Sequence, residues 1–116
     1  MKATSATFPL LNRWLEFVKW LVPVVEGWPK KTRFNFGNRV VDLALDMVED
    51  LTEAGYSRER IPILKRCNLR LEKLRLLLRL CHDLQYLAHR QYEHAMRELF
   101  QAGKMIGGWR RSEDRE

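Results

Sequence analysis

The sequence has few residues that could cross-link the chain or interrupt its helices, with two cysteines, four prolines and six glycines among 116 residues. Cys67 and Cys81 lie fourteen residues apart in one leucine-rich stretch, a separation of about 21 Å along a helix axis. Because a disulfide requires α-carbons within about 7 Å of each other, the two cannot bridge within that helix. We interpret both as buried free thiols, which favours a reducing, cytoplasmic environment.

No apolar run in the sequence is long enough to cross a membrane. The apolar stretch near the N-terminus is interrupted by Asn12, Arg13, Glu16 and Lys19. A membrane-spanning helix needs about 18 or more consecutive apolar residues. The sequence therefore predicts neither a signal peptide nor a membrane span.

The patterns that carry enzymatic chemistry are also absent. There is no Gly-rich phosphate loop, no Ser, His and Asp set in a recognisable context, and no cysteine beside a candidate base. His82, His89 and His94 lack the spacing of metal ligands, and the paired Glu-x-x-His motifs of a di-iron bundle are missing. We expect a protein that is not an enzyme and that holds no metal and no cofactor.

What the sequence does contain is four blocks of helical periodicity, in which apolar residues recur three and four positions apart. The first block covers about residues 9–26, and its stripe is Leu11, Trp14, Val18, Leu21 and Val25. The second covers about residues 34–54, with Val40, Ala44, Met47, Val48 and Leu51 on one face. The last two blocks are separated by a break that we place at residues 88–91. The stripe of the fourth is Tyr92, Met96, Leu99, Gly103 and Ile106.

Proline and glycine suggest where these helices end. Pro23 should kink or end the first helix, and residues 27–33 form a basic loop. Gly55 is expected to cap the second helix, Ser57 is a candidate N-cap for the third, and the glycines at 107 and 108 should stop the fourth. These features predict an all-α, up-down-up-down four-helix bundle over residues 8–111, with a disordered leader (1–7) and a disordered tail (112–116).

Residues 64–84 contain nine leucines and six basic residues, and on a helical wheel they form two apolar arcs. The arc assigned to the bundle core is Leu64, Cys67, Leu71, Leu74, Leu78 and Cys81. The second arc is Leu69, Leu76, Leu80 and Leu87, with Leu77 and Leu84 at its edge. A single bundle cannot bury both arcs, so we expect the second to be the interface of a homo-oligomer. The alternative is that a longer loop or the first helix covers it.

The net charge of +6 is concentrated, because residues 57–90 hold nine Lys and Arg against three acids. Arg66, Arg70 and Lys73 lie beside the second apolar arc, and Lys65, Arg75 and Arg79 lie between the two arcs. The candidate nucleic-acid-binding residues are these six together with Lys30, Lys31 and Arg33 of the basic loop. Two interpretations stay open for them, phosphate binding and pairing with acids of the same or a neighbouring subunit.

The acids available for such pairing lie on the second helix. Asp42, Asp46, Glu49 and Glu53 form a stripe opposite its apolar face. We interpret this stripe as solvated or as facing another subunit.

The run WPKKTRFNFGNRVVDLALDMVEDLTEAGYSRERIPILKRCNLRLEKLRLLLRLCHDL, with the later YE and AGKMIGGW, resembles the accessory variability determinant (Avd) proteins of diversity-generating retroelements. These belong to a wider group of bacterial four-helix bundle proteins that includes ones encoded in rRNA intervening sequences. The likeness covers about residues 14–111. Its most specific parts are LRLEKLRLLLRL, AGYSRERIP and the terminal GGW.

The resemblance implies a homopentameric, barrel-like assembly of bundles with a basic surface. That surface would bind nucleic acid and the reverse transcriptase of the retroelement, and so support error-prone copying of template RNA into cDNA. Phosphate contacts do not read bases, so DNA as well as RNA is an expected ligand. The alternative function is that of a structural bundle of the rRNA intervening-sequence type, whose basic strip only pairs subunits.

Overall fold

The computed structural model describes the backbone of residues 7–114 and the side chains of residues 9–114. Over this range the chain forms four long helices, α1 (Thr7–Glu26), α2 (Asn38–Tyr56), α3 (Arg60–Asp83) and α4 (His89–Asp114). Helix α2 packs against α1 and α3, and α4 packs against α3 and α1, so the four helices surround one core. The connections are short, which makes consecutive helices antiparallel. The prediction of an all-α fold with four helices is confirmed.

The core contains most of the apolar stripes that the sequence predicts on α1, α2 and α3, but Leu11 and Val48 are half-buried at its edge. All six members of the first α3 arc are buried, and on α1 the side chains of Trp14, Val18, Leu21 and Val25 are buried together. The indole Nε1–H of Trp14 donates a hydrogen bond to the carbonyl oxygen of Ala44 at 2.9 Å, so its one polar atom is satisfied inside the core. Each fully buried large apolar side chain contributes about 1.5–3 kcal/mol to folding.

Helix α4 turns a partly different set of residues inward from the predicted one. The buried residues are Ala95, Leu99, Ala102, Ile106 and Trp109. Tyr92 and Met96, which were expected in the core, are half-buried at its edge. Alanine is only weakly apolar, so it adds little to the apolar periodicity that predicts core positions. In a packed bundle, however, its small side chain lets neighbouring helices approach closely.

The break between α3 and α4 lies at residues 84–88, a few residues before the predicted position. Gln85 takes a left-handed backbone conformation with φ of 67°, which reverses the chain without a glycine. The Gln91 side chain then accepts a hydrogen bond from the backbone N–H of Ala88 at 3.1 Å, at the start of α4. The polar residues that suggested the break therefore cap the new helix.

The predicted loop at residues 27–33 is mostly helical. Only residues 27–29 are irregular, and a helical turn (Lys30–Thr32) and a π-helical turn (Arg33–Gly37) lead directly into α2. We call Lys30–Gly37 the basic lead-in. At its last residue, Gly37, a β-carbon would lie 2.7 Å from Cγ1 of Val25 on α1, so any larger residue would have to displace Val25.

Neither Pro23 nor Gly55 ends its helix. Helix α1 continues for three residues past Pro23 to Glu26, and Gly55 is buried within α2, which ends at Tyr56. The α2–α3 joint also differs from expectation, because Glu59 occupies the N-cap position of α3. The hydroxyl of Ser57 instead accepts a hydrogen bond from the backbone N–H of Glu59 at 3.1 Å within the turn.

The glycines at 107 and 108 do not stop α4, which continues to Asp114. Trp109, directly after them, is buried in the core, and this packing outweighs the cost of about 1 kcal/mol for each glycine in a helix. The helix thus extends three residues past the predicted end of the domain, so residues 112–114 are helical and not part of a disordered tail. Residues 115–116 and the predicted leader, apart from Thr7 at the start of α1, lie outside the described residues.

Candidate nucleic-acid interface

A buried carboxylate on α2 binds two of the arginines predicted to contact nucleic acid. Asp50 is 5% exposed, and its Oδ1 accepts hydrogen bonds from Nε and Nη2 of Arg66, each at 3.1 Å. Its Oδ2 accepts from Nε of Arg70. The hydrogen bond to Asp50 raises the pKa of Arg66 above its ordinary value. Both guanidinium groups are therefore neutralised by a group that has lost most of its water.

Two more acids of α2 complete this α2–α3 charge network. Glu53 accepts from Nη2 of Arg66 at 2.8 Å, and Asp46 accepts from Nη1 of Arg70 at 3.2 Å. Two interpretations were open for Arg66 and Arg70, phosphate binding and pairing with acids. In the structure both arginines form ion pairs with acids of α2 in the same chain. These ion pairs join α3 to α2, and contact of Arg66 and Arg70 with nucleic acid stays a prediction.

Arg75 and Arg79 differ in their partners. Nη1 of Arg75 donates to Oε2 of Glu72 at 2.7 Å, so this arginine has an acid partner on its own helix. An i,i+3 pair of this exposure contributes only a few tenths of a kcal/mol, and a phosphate can displace Glu72 at little cost. Arg79, one turn further along α3, has no carboxylate oxygen within 4 Å among the described residues. Lys65 and Lys73 are likewise unpaired there.

The cations of the basic lead-in are also free of ion pairs within residues 7–114. The lead-in is held against the bundle by Trp28 and Phe36, whose rings lie 6.3 Å and 5.4 Å from that of Tyr86 in the α3–α4 turn. It therefore lies at the end of the bundle where α3 finishes. We call this the basic end, and its unpaired cations are Lys30, Lys31, Arg33, Arg39 and Arg79. Arg39 was missed from sequence because it belongs to the segment with the fewest basic residues.

The second apolar arc of α3 is largely exposed, as predicted, with one exception. Leu69, Leu76 and Leu80 are 54%, 58% and 45% exposed, whereas Leu87 is 2% exposed. Leu87 lies beyond the end of α3, in the turn, where the wheel no longer applies and the side chain enters the core. The prediction that Leu87 belongs to an oligomer interface is therefore wrong, and Leu87 is a core residue.

An open groove runs along the exposed side of α2 and α3, beside these leucines. Its lining residues are Arg39, Asp42, Leu43, Asp46, Lys73, Leu76, Leu77 and Leu80. It combines exposed apolar side chains with charges of both signs. Asp42, Arg39 and Lys73 have no ion-pair partner in the described part of the chain, so the groove can accept a surface with complementary charges.

The opposite end of the bundle is closed by a contact that sequence patterns did not reveal. Arg60 donates from Nε to the carbonyl oxygen of Ala54 at 2.9 Å and from Nη1 to Glu113 at 3.0 Å. The same Glu113 oxygen accepts from Nε1 of Trp109 at 3.1 Å. Arg60 thereby joins the end of α2, the start of α3 and the last turn of α4.

The remaining titratable groups of the described residues include two buried thiols and a pair of histidines. Burial raises the pKa of Cys67 to about 12 and that of Cys81 to about 11, so both are unreactive thiols at neutral pH. Nε2 of His82 lies 3.2 Å from Nδ1 of His89. Between residues 7 and 114, no three His, Cys, Asp or Glu side chains are grouped so that they could hold a metal ion.

No helix among the described residues combines the length and the apolar character that crossing a bilayer requires.

Comparison with known proteins assigns the family. Among curated proteins no match is found. The model of the bAvd-like family matches residues 10–113, which include all of α2 and α3 and all but the ends of α1 and α4. That span contains the α2–α3 charge network, the basic end and the exposed leucines. The chain therefore belongs to the bAvd-like family.

Proposed function

We propose that this protein is a noncatalytic accessory protein that binds nucleic acid and partners the reverse transcriptase of a diversity-generating retroelement. In this role it would support mutagenic copying of template RNA into cDNA. Membership of the bAvd-like family supports an Avd-type accessory role. The nucleic-acid part of the proposal depends on the chemistry of the basic end.

The observation that carries the proposal is that the basic end keeps its cations unpaired while Arg66 and Arg70 are neutralised. In a chain with 15 acids, carboxylates are available, yet none lies within 4 Å of Lys30, Lys31 or Arg79 among residues 7–114. Unpaired cations at one end of a protein attract a polyanion and release its condensed counterions on binding. Arg75, whose partner Glu72 is exposed, adds a cation one turn below Arg79.

The groove and the leucines beside it suggest how several copies combine. Burying Leu69, Leu76 and Leu80 against a second chain would contribute about 1.5–3 kcal/mol for each fully buried leucine. The proposed assembly is a homopentamer, as the resemblance implies. Closed symmetry would repeat the basic end once in every subunit, so individually weak phosphate contacts would add along one strand.

The test is RNA binding by the double variant Arg75→Ala, Arg79→Ala, measured with a fluorescent single-stranded RNA. Binding should weaken by about tenfold or more, because two charge-assisted contacts to phosphate are lost. The matched control is Arg97→Ala, Lys104→Ala, which removes the same charge from two exposed positions of α4. Light scattering and thermal melting report whether assembly and fold survive. Unchanged binding by an intact oligomer would remove Arg75 and Arg79 from the interface.

A second candidate function is favoured by the charges in the groove. Asp42 lies there beside unpaired Arg39 and Lys73, which is the mixed pattern of a surface that pairs subunits. In that case the protein is a structural bundle of the rRNA intervening-sequence type and binds no RNA. A reverse-transcriptase gene with a variable-repeat pair beside this gene would favour the retroelement role, and their absence would favour the structural one.

A further inference from the structure

Phe34 is the most exposed large hydrophobic side chain of the described residues, at 77%. An interior is available to the side chains of this segment, so a lack of packing space does not explain the exposure of Phe34. The neighbouring aromatics Trp28 and Phe36 both turn inward toward Tyr86. Phe34 alone projects outward, from a segment that those two rings hold in place.

The backbone around Phe34 is also fixed. It lies in the π-helical turn Arg33–Gly37, a form that often marks functional positions because it redirects side chains. The Asn38 side chain donates to the carbonyl oxygen of Phe34 at 3.3 Å. The close approach of Gly37 to Val25 fixes the end of the same turn. The ring is therefore presented on a rigid support.

The surroundings of Phe34 are cationic and polar. It borders a shallow groove with Lys30, Lys31 and Asn35, and Arg33 precedes it in the chain. No carboxylate lies within 4 Å of those three cations in the described residues. The only other side chains bordering this groove are polar, which distinguishes it from the leucine groove of α2 and α3. The groove holds one aromatic ring, with the aliphatic stems and charged ends of Lys30 and Lys31 beside it.

We propose that Phe34 is a stacking platform for an unpaired base of single-stranded nucleic acid, whose adjacent phosphates bind Lys30, Lys31 and Arg33. An aromatic face accepts any base, and flanking cations neutralise the backbone, which is the chemistry of sequence-tolerant single-strand binding. Bases in a duplex are already stacked on each other, so this subsite distinguishes single strands from duplexes. The inference deepens the proposed function and depends on it, because it names the form of nucleic acid that the basic end takes.

The exposed ring of Phe100 on α4 provides a matched control. It is 63% exposed, but Nζ of Lys104 lies 5.7 Å from its ring centroid, so one face already has a cation. Phe100 therefore tests whether loss of any exposed phenylalanine weakens RNA binding. Because both rings are exposed, their replacement should leave the fold intact.

The experiment compares Phe34→Ala, Phe34→Leu, Phe34→Trp and Phe100→Ala for binding to a single-stranded RNA and to a duplex of the same length. We expect Phe34→Ala and Phe34→Leu to weaken single-strand binding about tenfold, with duplex binding changed less than about twofold. Phe34→Trp should retain single-strand affinity, and Phe100→Ala should match the parent. A single-stranded RNA that contains 5-iodouridine should crosslink to Phe34 in the parent protein.

Other outcomes separate this inference from the proposed function. One such outcome is that Phe34→Ala binds single strands normally while the triple variant Lys30→Ala, Lys31→Ala, Arg33→Ala does not. This result would contradict the stacking site and would still support phosphate binding at the basic end. Equal losses for Phe34→Ala and Phe100→Ala, or equal losses on single strand and duplex, also contradict the stacking site. If the parent protein binds neither the single-stranded RNA nor the duplex, both proposals are wrong.

Discussion

Arg66 of α3 directs two guanidinium nitrogens, Nε and Nη2, at the same oxygen of Asp50 on α2, each at 3.1 Å. Arg70, one turn further along α3, binds the other oxygen of that carboxylate. Two of the six cations of the leucine-rich stretch therefore serve the fold. Among the described residues, Lys65, Lys73 and Arg79 of this stretch remain without an ion pair, and the basic lead-in adds three more free cations.

The first prediction concerns this network. Asp50→Ala should lower the free energy of unfolding by about 1–3 kcal/mol, because it removes the buried carboxylate that binds two partly exposed arginines. Urea denaturation measures the change. Glu49→Ala, at an exposed acid of the same helix outside the leucine groove, should change stability by less than about 0.5 kcal/mol. Equal effects of the two variants would mean that the network does not hold α3 against α2.

The second prediction tests the last turn of α4. Glu113→Ala should destabilise the protein by about 1–2 kcal/mol, because Glu113 accepts hydrogen bonds from both Arg60 and Trp109. Asp114→Ala, at the adjacent exposed residue, is the matched control and should have little effect. A melting temperature unchanged by Glu113→Ala would place the end of the ordered domain nearer the predicted residue 111.

The third prediction follows from the buried thiols. Burial raises the pKa of Cys67 from 9.0 to about 12 and that of Cys81 from 9.0 to about 11. A group whose pKa is raised by folding stabilises the fold below its unfolded pKa and loses that contribution as pH rises through the folded value. Stability should therefore fall as pH rises above about 9.

The control for the thiols is the variant Cys67→Ala, Cys81→Ala. It should be less stable than the parent at pH 7 because it loses core volume, but it should show a smaller fall between pH 9 and pH 11. Chemical denaturation at each pH measures both. Parallel pH profiles for the two proteins would show that the thiols stay protonated or titrate alike in both states.

The fourth prediction concerns self-association. Leu76→Glu should dissociate the oligomer while leaving each bundle helical, because Leu76 is exposed on the outer face of α3. Leu78→Glu, two residues away, places the same charge at a fully buried position and should unfold the bundle. Light scattering and circular dichroism separate the two effects. A parent protein of monomer mass at micromolar concentration would contradict the proposed assembly.

Much of the fold follows from apolar periodicity, and the exceptions have physical causes. The α3 arc was predicted correctly because four leucines and two cysteines repeat at core spacing over about five turns. Pro23, Gly55 and the glycines at 107 and 108 were taken as helix ends, but tertiary packing of Val25, Ala54 and Trp109 outweighs their local preference. Such packing energies depend on neighbours far away in sequence, so a local pattern cannot reveal them.

The candidate site was less predictable than the fold. Counts of charged residues identified α3 as basic. They could not show which of its cations form ion pairs, because most of the acids that pair with them lie on another helix. Asp50 lies at the border of the apolar face of α2 and was left out of its acidic stripe, so the neutralisation of Arg66 and Arg70 was missed. Leu87 was assigned to an interface because the wheel was continued past the real end of α3.

The salt dependence of RNA affinity measures whether the unpaired cations of the basic end bind phosphate. For single strands the slope of log affinity against log salt changes by about 0.7 for each phosphate neutralised. We predict that Lys30→Ala, Lys31→Ala, Arg33→Ala reduces this slope by about 2 per subunit that contacts the strand, with oligomer mass and melting temperature unchanged. A slope equal to that of the parent, in an intact oligomer, would contradict phosphate binding by these cations.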